Sequence, residues 1–317
     1  MKYYLSNQLL FIFVLITTLG CNRDNKNDET TGTTPNLVEK ILLKHTVLSD
    51  DHPMALWEKK TDNAKGIILL VHGRTWSGVP DFDLQVEGED LSLMDGMVEQ
   101  EYLTYAVDLR GYGGTPRDST GWASPDKAAR DILNVLEWIS EENGDSKVHL
   151  FGWSMGSTLS LLATQKSAEH IASLTLFGYW QDLDFEIPES PSDIQLQKSV
   201  NTAKNAASDF IVPGSISQKA IDTYVKMALE SDPIRVDWRY ESEYNGIDPS
   251  LISTPVLILQ GELDPIPTER QTKLFTRLKT ADKSWVVISG GDHAAFMETP
   301  RRDFIHAFMS FIDRFNE

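Results

Sequence analysis

The sequence predicts an α/β fold: a mostly parallel, doubly wound sheet with helices on both faces. Three observations lead there. Apolar runs of strand length, most of them closed by glycine, recur along the chain from Gly66 to Gly291. Those runs are continuous in Val, Ile and Leu and do not alternate with polar residues, as expected of strands covered on both faces. Between them lie segments whose apolar residues recur at helical spacing, and strand alternating with helix is the pattern of a parallel sheet.

Taken in order, Leu42 to Leu48 and Met54 to Glu58 read as two short strands across a polar turn. Six buried-strand runs follow: GIILLVHG (66–73), YLTYAVDLRG (102–111), KVHLFG (147–152), SLTLFG (173–178), TPVLILQG (254–261) and SWVVISGG (284–291). Leu91, Met94 and Val98 mark a short helix. Ser124 is placed to cap a longer one, with Pro125 at its first position. Ala128, Ile132, Val135, Leu136 and Ile139 share one face of it, and Gly144 ends the pattern. Ser157 to Gln165 is helix-compatible. Phe304, Ile305, Phe308, Phe311, Ile312 and Phe315 form a terminal stripe expected to pack in the core. Right-handed crossovers place such helices on both sheet faces.

The rhythm stops between Trp180 and about Ser250. This stretch has proline-rich turns, many aromatics and helical pieces such as Ser217 to Leu229, but no buried-strand run. It is expected to be a helical cap over the strand ends. The organisation is therefore a core in two parts, 37–179 and 251–317, with a cap or lid insertion at 180–250.

The N-terminus has a different character. Lys2 precedes an apolar run from Leu9 to Leu19, too short to span a bilayer comfortably and suited to a secretory signal. The run ends in Thr18-Leu19-Gly20-Cys21, which resembles the lipobox of bacterial lipoproteins, although Leu is usual where Thr18 stands. That resemblance implies a signal peptide at 1–21, acylation of Cys21 and a polar tether at 22–36. The expected location is the cell envelope, with membrane contact through the lipid anchor only. Cys21 is the one cysteine of 317 residues, so no internal disulfide forms. The formal charge of −18 argues against nucleic acid as a partner.

Chemistry concentrates at GWSMG (152–156). A Gly-X-Ser-X-Gly pattern arises by chance in roughly one chain in ten of this length. Here it follows a strand and precedes a helix, the setting of a nucleophile elbow, which makes Ser154 the expected nucleophile. A serine hydroxyl needs a base, and the base an orienting carboxylate. His293, in the glycine-rich turn after the last strand, is the expected base. His72 follows a strand end, whereas His149 and His306 fit structural roles. Asp264, in GELDP after the preceding strand, is the expected carboxylate, with Glu262 as the alternative and Asp292 read as structural. The developing oxyanion needs two backbone N–H donors. Met155 supplies one at a helix N-terminus, and Arg74 supplies the other, by its backbone and not its guanidinium. Trp76, Trp153 and Trp180 are candidate walls of a substrate pocket. No Cys/His/Asp cluster has metal-ligand spacing and no phosphate-cradling loop appears, so neither metal nor cofactor is expected.

LVHG (70–73), DLRGYGGT (108–115), GWSMG, GELDPI (261–266) and GGDH (290–293) together resemble the α/β-hydrolase fold-1 superfamily, in that order, from Gly66 to the C-terminus. The resemblance implies an eight-stranded sheet, a Ser154-Asp264-His293 triad, structural roles for Asp108, Arg110 and Gly111, and a His72 that shapes the oxyanion loop. It departs from several branches: there is no HGGG run, no HGGPG run and no aspartate at the nucleophile. The expectation is an exported serine hydrolase acting on a small-molecule acyl substrate, foremost a carboxylic ester. A serine aminopeptidase-like or acyl-transfer enzyme and a non-catalytic binding lipoprotein are the alternatives. In the aminopeptidase reading Asp81, Asp83, Glu186 and Glu189 would hold a substrate amine; as plain sequence they read as solvated surface charges. The long 75–90 loop has no role beyond shaping the pocket.

Overall fold

Each continuous apolar run becomes a strand of one sheet in the computed structural model, which describes residues 41–316. The expected signal, tether and lipidated Cys21 lie outside those residues. The strands are β1 (Leu43–Ser49), β2 (His52–Lys59), β3 (Gly66–Val71), β4 (Tyr102–Val107), a two-residue β5 (Trp122–Ala123), β6 (Val148–Trp153), β7 (Ile171–Phe177), a two-residue β8 (Asp237–Trp238), β9 (Val256–Gly261) and β10 (Lys283–Ile288). The helices are α1 (Gly78–Phe82), α2 (Leu93–Glu99), α3 (Pro125–Glu142), α4 (Met155–Lys166), α5 (Ala203–Ala207), α6 (Gln218–Ser231), α7 (Thr268–Arg277) and α8 (Arg301–Ile312).

Eight strands pair in the order β1-β2-β4-β3-β6-β7-β9-β10. The β1–β2 and β2–β4 pairs are antiparallel, and every other pair in this sheet is parallel. Period-two side-chain direction divides the strands between two cores. Ile67, Leu69 and Val71 join Ile132, Leu136, Leu159 and Leu162 on one face. Ile68 and Leu70 join Met94, Met97, Phe304 and Phe308 on the other. The terminal phenylalanine stripe is thus core packing, as its spacing predicts. Ser124 caps α3 by accepting from the Lys127 N–H, with Pro125 in the first turn.

Strand order reverses at β3. The chain passes from β3 to β4 on one side, then returns to place β6 on the other. Ligands of open α/β sheets bind beyond the strand ends at such a switch point. The loop after β3 carries His72 to Arg74, and the turn after β6 carries Ser154.

Residues between β7 and β9 supply α5, α6 and β8, and β8 pairs with β5 of the core. The 75–90 loop is built inward, not merely draped over a pocket. It contains α1, and Trp76, Phe82, Leu84 and Val86 are buried. Asp81 and Asp83 are buried with it, against the expectation of solvated surface charge. Lys59 donates to Asp83 at 2.5 Å, and Tyr224 of α6 donates to Asp81 at 2.8 Å.

Candidate active site

The backbone at Ser154 is in the left-handed half of conformational space, at φ 54° and ψ −119°. A non-glycine residue there costs of order 1–3 kcal/mol and persists where its surroundings impose it. Those surroundings are visible. The Ser154 N–H donates to the Phe177 carbonyl of β7 at 2.8 Å, and the Ser154 carbonyl accepts from the Ser157 N–H and hydroxyl at 3.0 and 2.6 Å. Gly156 admits the close passage of β3, since a β-carbon there would stand 2.3 Å from the Val71 carbonyl oxygen. Strand, strained serine and helix follow one another as GWSMG predicts.

Asp264 and His293 come together across the ends of β9 and β10. The imidazole Nδ1 lies 2.9 Å from Asp264 Oδ2, and Asp264 Oδ1 accepts from the Ile266 N–H at 2.9 Å. With Nδ1–H donating to the carboxylate, Nε2 is left as an acceptor. The His293 carbonyl accepts from Trp153 Nε1 at 2.7 Å, which ties the histidine loop to the residue before Ser154. The Phe177 ring lies 6.5 Å from the imidazole and 27° from parallel to it. Among the described residues the Ser154 hydroxyl makes no hydrogen bond. Catalytic contacts in an unliganded site commonly close only when substrate binds.

The alternative carboxylate is placed elsewhere. Glu262 accepts from the Gly290 N–H at 2.8 Å and the Ser289 hydroxyl at 2.9 Å in an exposed turn, and these bonds lower its pKa. Asp292 is structural as read. It accepts from the N–H groups of Ile211 and Val212 at 2.9 and 2.8 Å, and from Ala294 at 2.8 Å, which fastens the cap segment to the histidine loop.

Gly178 shapes the floor under the histidine. Its φ is +63°, and a β-carbon would stand 2.7 Å from His293 Cε1. Gly178→Ala should therefore push the imidazole off line. Turnover is expected to fall by about a hundred-fold, the scale of a misplacement near 1 Å. Steady-state kinetics beside a melting curve checks this; unchanged turnover in a folded variant would show that the histidine position tolerates the methyl group.

His72 holds the loop that follows β3. Burial drives its pKa down from 6.5 to about 4. The neutral ring accepts from the Leu109 N–H at Nε2 (3.0 Å) and so donates from Nδ1 to the Gly73 carbonyl (2.8 Å). The next carbonyl, that of Arg74, accepts from the Tyr112 hydroxyl, which accepts from Trp238 Nε1 at 2.9 Å. The Arg74 guanidinium pairs with Glu241 and is thereby held away from the loop. Met155 is the first residue of α4, where the N–H has no intrahelical partner. Arg74 follows Gly73, where a β-carbon would stand 3.6 Å from Ser154 Cβ, and Met155 follows Ser154 directly.

A pH prediction follows from His72. Its folded pKa is below its unfolded value, so its contribution is fully present above about pH 6.5 and is lost as pH falls toward 4. At most the loss is about 3 kcal/mol for a fully buried ring. The melting-temperature gap between wild type and His72→Gln should narrow as pH is lowered from 7 to 4. A gap independent of pH in calorimetry would refute a neutral, buried His72.

Of the three expected pocket tryptophans, Trp76 and Trp153 are both buried, at 2 % and 3 % exposed, and the Trp153 ring packs against His293 and Phe296. Trp76 donates to Asp209 Oδ2 of the cap at 3.0 Å, and Trp180 packs edge-on against Tyr244. Asp209 was not legible as a site residue; burial raises its pKa to about 6, opposed by nearby His293. Asp108 and Arg110 are structural. Asp108 accepts from Trp57 Nε1 and the Gly78 and Gly114 N–H groups, all at 2.8 Å, and Arg110 forks onto Asp131 with two bonds of 2.7 Å. Among the described residues no group of three or more His, Cys, Asp or Glu could hold a metal ion.

The model of the family "Serine aminopeptidase, S33" matches residues 62–300. A 2-hydroxy-6-oxo-6-(2'-aminophenyl)hexa-2,4-dienoic acid hydrolase of Metapseudomonas resinovorans is 26% identical over 69% of this chain and 76% of its own length. A lysophosphatidylserine lipase of Xenopus tropicalis is 25% identical over 69% of this chain, which spans only 48% of that lipase. Among solved structures, a serine hydrolase involved in carbazole degradation superposes with a TM-score of 0.61 at 18% identity, covering 86% of this chain and 100% of its own.

Proposed function

We propose that this chain, which belongs to the serine aminopeptidase S33 family of α/β-hydrolases, is a carboxylic ester hydrolase that works through an acyl-enzyme on Ser154. That it is a hydrolase follows from its family; the triad, the ester and the anchoring are our reading. The observation that carries the reading is the Asp264–His293 pair at 2.9 Å, set beside a strained serine at the sheet's switch point.

In this mechanism Ser154 attacks the ester carbonyl while His293 Nε2 takes the hydroxyl proton. Asp264 stabilises the imidazolium and holds its tautomer. The N–H groups of Arg74 and Met155 receive the oxyanion. The imidazolium then protonates the departing alcohol. Water, activated by the same histidine, releases the acid and restores the serine. No step calls on a cofactor.

Ester is favoured over aminoacyl amide by the state of the acidic residues. Asp83 is ion-paired with Lys59, Asp81 is buried against Tyr224, and Glu186 and Glu189 are exposed on the cap. Asp81 and Asp83 are thus engaged within the fold and not solvent-facing carboxylates for a substrate amine. A short acyl ester panel run against aminoacyl amides tests this, with fluorophosphonate labelling to report the serine. Turnover confined to the amides would replace the ester reading, and an unlabelled serine would favour the binding lipoprotein. Export and lipid attachment at Cys21 belong to the same proposal. They are tested by globomycin sensitivity of processing and by loss of membrane association in Cys21→Ser.

A further inference from the structure

A second feature lies on the other flank of the oxyanion loop. A cleft of about 350 Å³ opens between that loop and the cap, lined by Arg74, Trp122, Gln195, Arg235, Asp237 and Trp238 among others. Arg74 lines this cleft and directly follows Gly73, where a β-carbon would stand 3.6 Å from Ser154 Cβ, so one residue joins the cleft to the nucleophile's surroundings.

The charges around the cleft are unevenly committed. Arg74 is taken by Glu241. Asp237 accepts from the Gln197 and Lys198 N–H groups at 3.0 and 3.1 Å. Arg117 donates to the Ile234 and Arg235 carbonyls at 2.9 Å, and the Arg235 N–H donates to the Ser199 carbonyl at 2.8 Å. The backbone under Arg235 is therefore fixed from both sides. Its guanidinium, by contrast, makes no hydrogen bond or ion pair with any described residue. This chain has 47 acidic residues against 29 basic ones, so carboxylates are in ample supply to neutralise an arginine. One left unpaired and half-buried in the lining of such a cleft is set up for a carboxylate that the chain does not provide. Arginine's planar fork matches that group with two parallel bonds.

We propose that this cleft is a subsite for a carboxylate carried by the substrate, held by Arg235 with Arg74 at its inner edge and the Trp122 and Trp238 rings as walls. The proposal rests on the ester reading and names the substrate class: an ester bearing a free carboxylate some atoms away from the scissile carbonyl. The carboxylate binds and leaves unchanged, so no step of the chemistry is altered.

The test compares 4-nitrophenyl butyrate with the 4-nitrophenyl half-esters of succinate and glutarate, in wild type, Arg235→Gln and Arg235→Lys. Wild type should favour a half-ester in kcat/KM by about ten-fold or more, the scale of one charge-assisted bond. Arg235→Gln should lose that preference through KM and leave butyrate turnover within about two-fold, and lysine should restore part of it. A preference that survives in Arg235→Gln, or one for butyrate in wild type, overturns the proposal. Butyrate turnover reports separately on the ester reading. Glutarate binding by titration calorimetry reads the cleft without turnover, and equal affinity in wild type and Arg235→Gln also overturns it.

Discussion

Ser154→Ala is expected to lower ester turnover by roughly a million-fold while the protein still folds and binds substrate. The expectation is this large because the three side chains act as a unit: with no hydroxyl, the His293 base has nothing to activate. What remains is the modest catalysis of the oxyanion donors and binding. Labelling by a fluorophosphonate should disappear with turnover. The same position makes a second, opposite prediction for stability. Ser154 holds φ 54°, which glycine adopts without strain. Ser154→Gly should therefore be as inactive as the alanine variant but melt higher than wild type, by an amount near 1 kcal/mol. Activity lost together with stability gained is what a serine strained for catalysis gives. A buried turn serine at the same φ shares the stability gain but not the loss of activity, and substantial turnover in either variant would remove Ser154 from the mechanism.

How much of this was readable beforehand depends on how local each determinant is. The strand runs and the elbow are local. Continuous Val/Ile/Leu stretches have few other destinations than a two-sided sheet, and Gly-Trp-Ser-Met-Gly between strand and helix admits few backbone paths. The core strands and the Asp264–His293 contact accordingly agree with the reading to within a few residues at their ends. Roles set by long-range packing were not readable. Trp153 looks like a pocket wall because it neighbours the nucleophile, yet its ring is committed to His293 and Phe296. Asp81 and Asp83 look solvated because they are charged, yet Tyr224 and Lys59, 143 and 24 residues distant, bury them. Asp209 and Arg235 carry no motif at all. Each gains meaning only when the cap is laid against the core, since a buried charge is defined by its partners and not by its neighbours in sequence.

The second large effect separates two carboxylates that sequence alone leaves in competition. Asp264→Asn should reduce kcat by about ten-thousand-fold with little change in fold. Asparagine can keep the 2.9 Å contact to His293, but its amide favours the tautomer with the proton on Nε2. That proton sits where the base must accept one from Ser154, and the imidazolium formed during attack loses its counter-charge. Glu262→Gln should leave kcat nearly unaltered, because that side chain is spent on the Ser289–Gly290 turn and not on the imidazole. The two substitutions remove one negative charge each, only two positions apart, so any general electrostatic effect on the site is common to both. A wide gap between them would thus report the directed bond to Nδ1, and equal losses would mean that the field of the loop matters, not the geometry of one carboxylate. Raising pH cannot rescue the asparagine variant fully, since the fault is where the neutral ring carries its proton and not how many protons it carries. A pH–rate profile that restored wild-type kcat at alkaline pH would contradict the tautomer argument and leave Asp264 a role in tuning the histidine's affinity for protons alone.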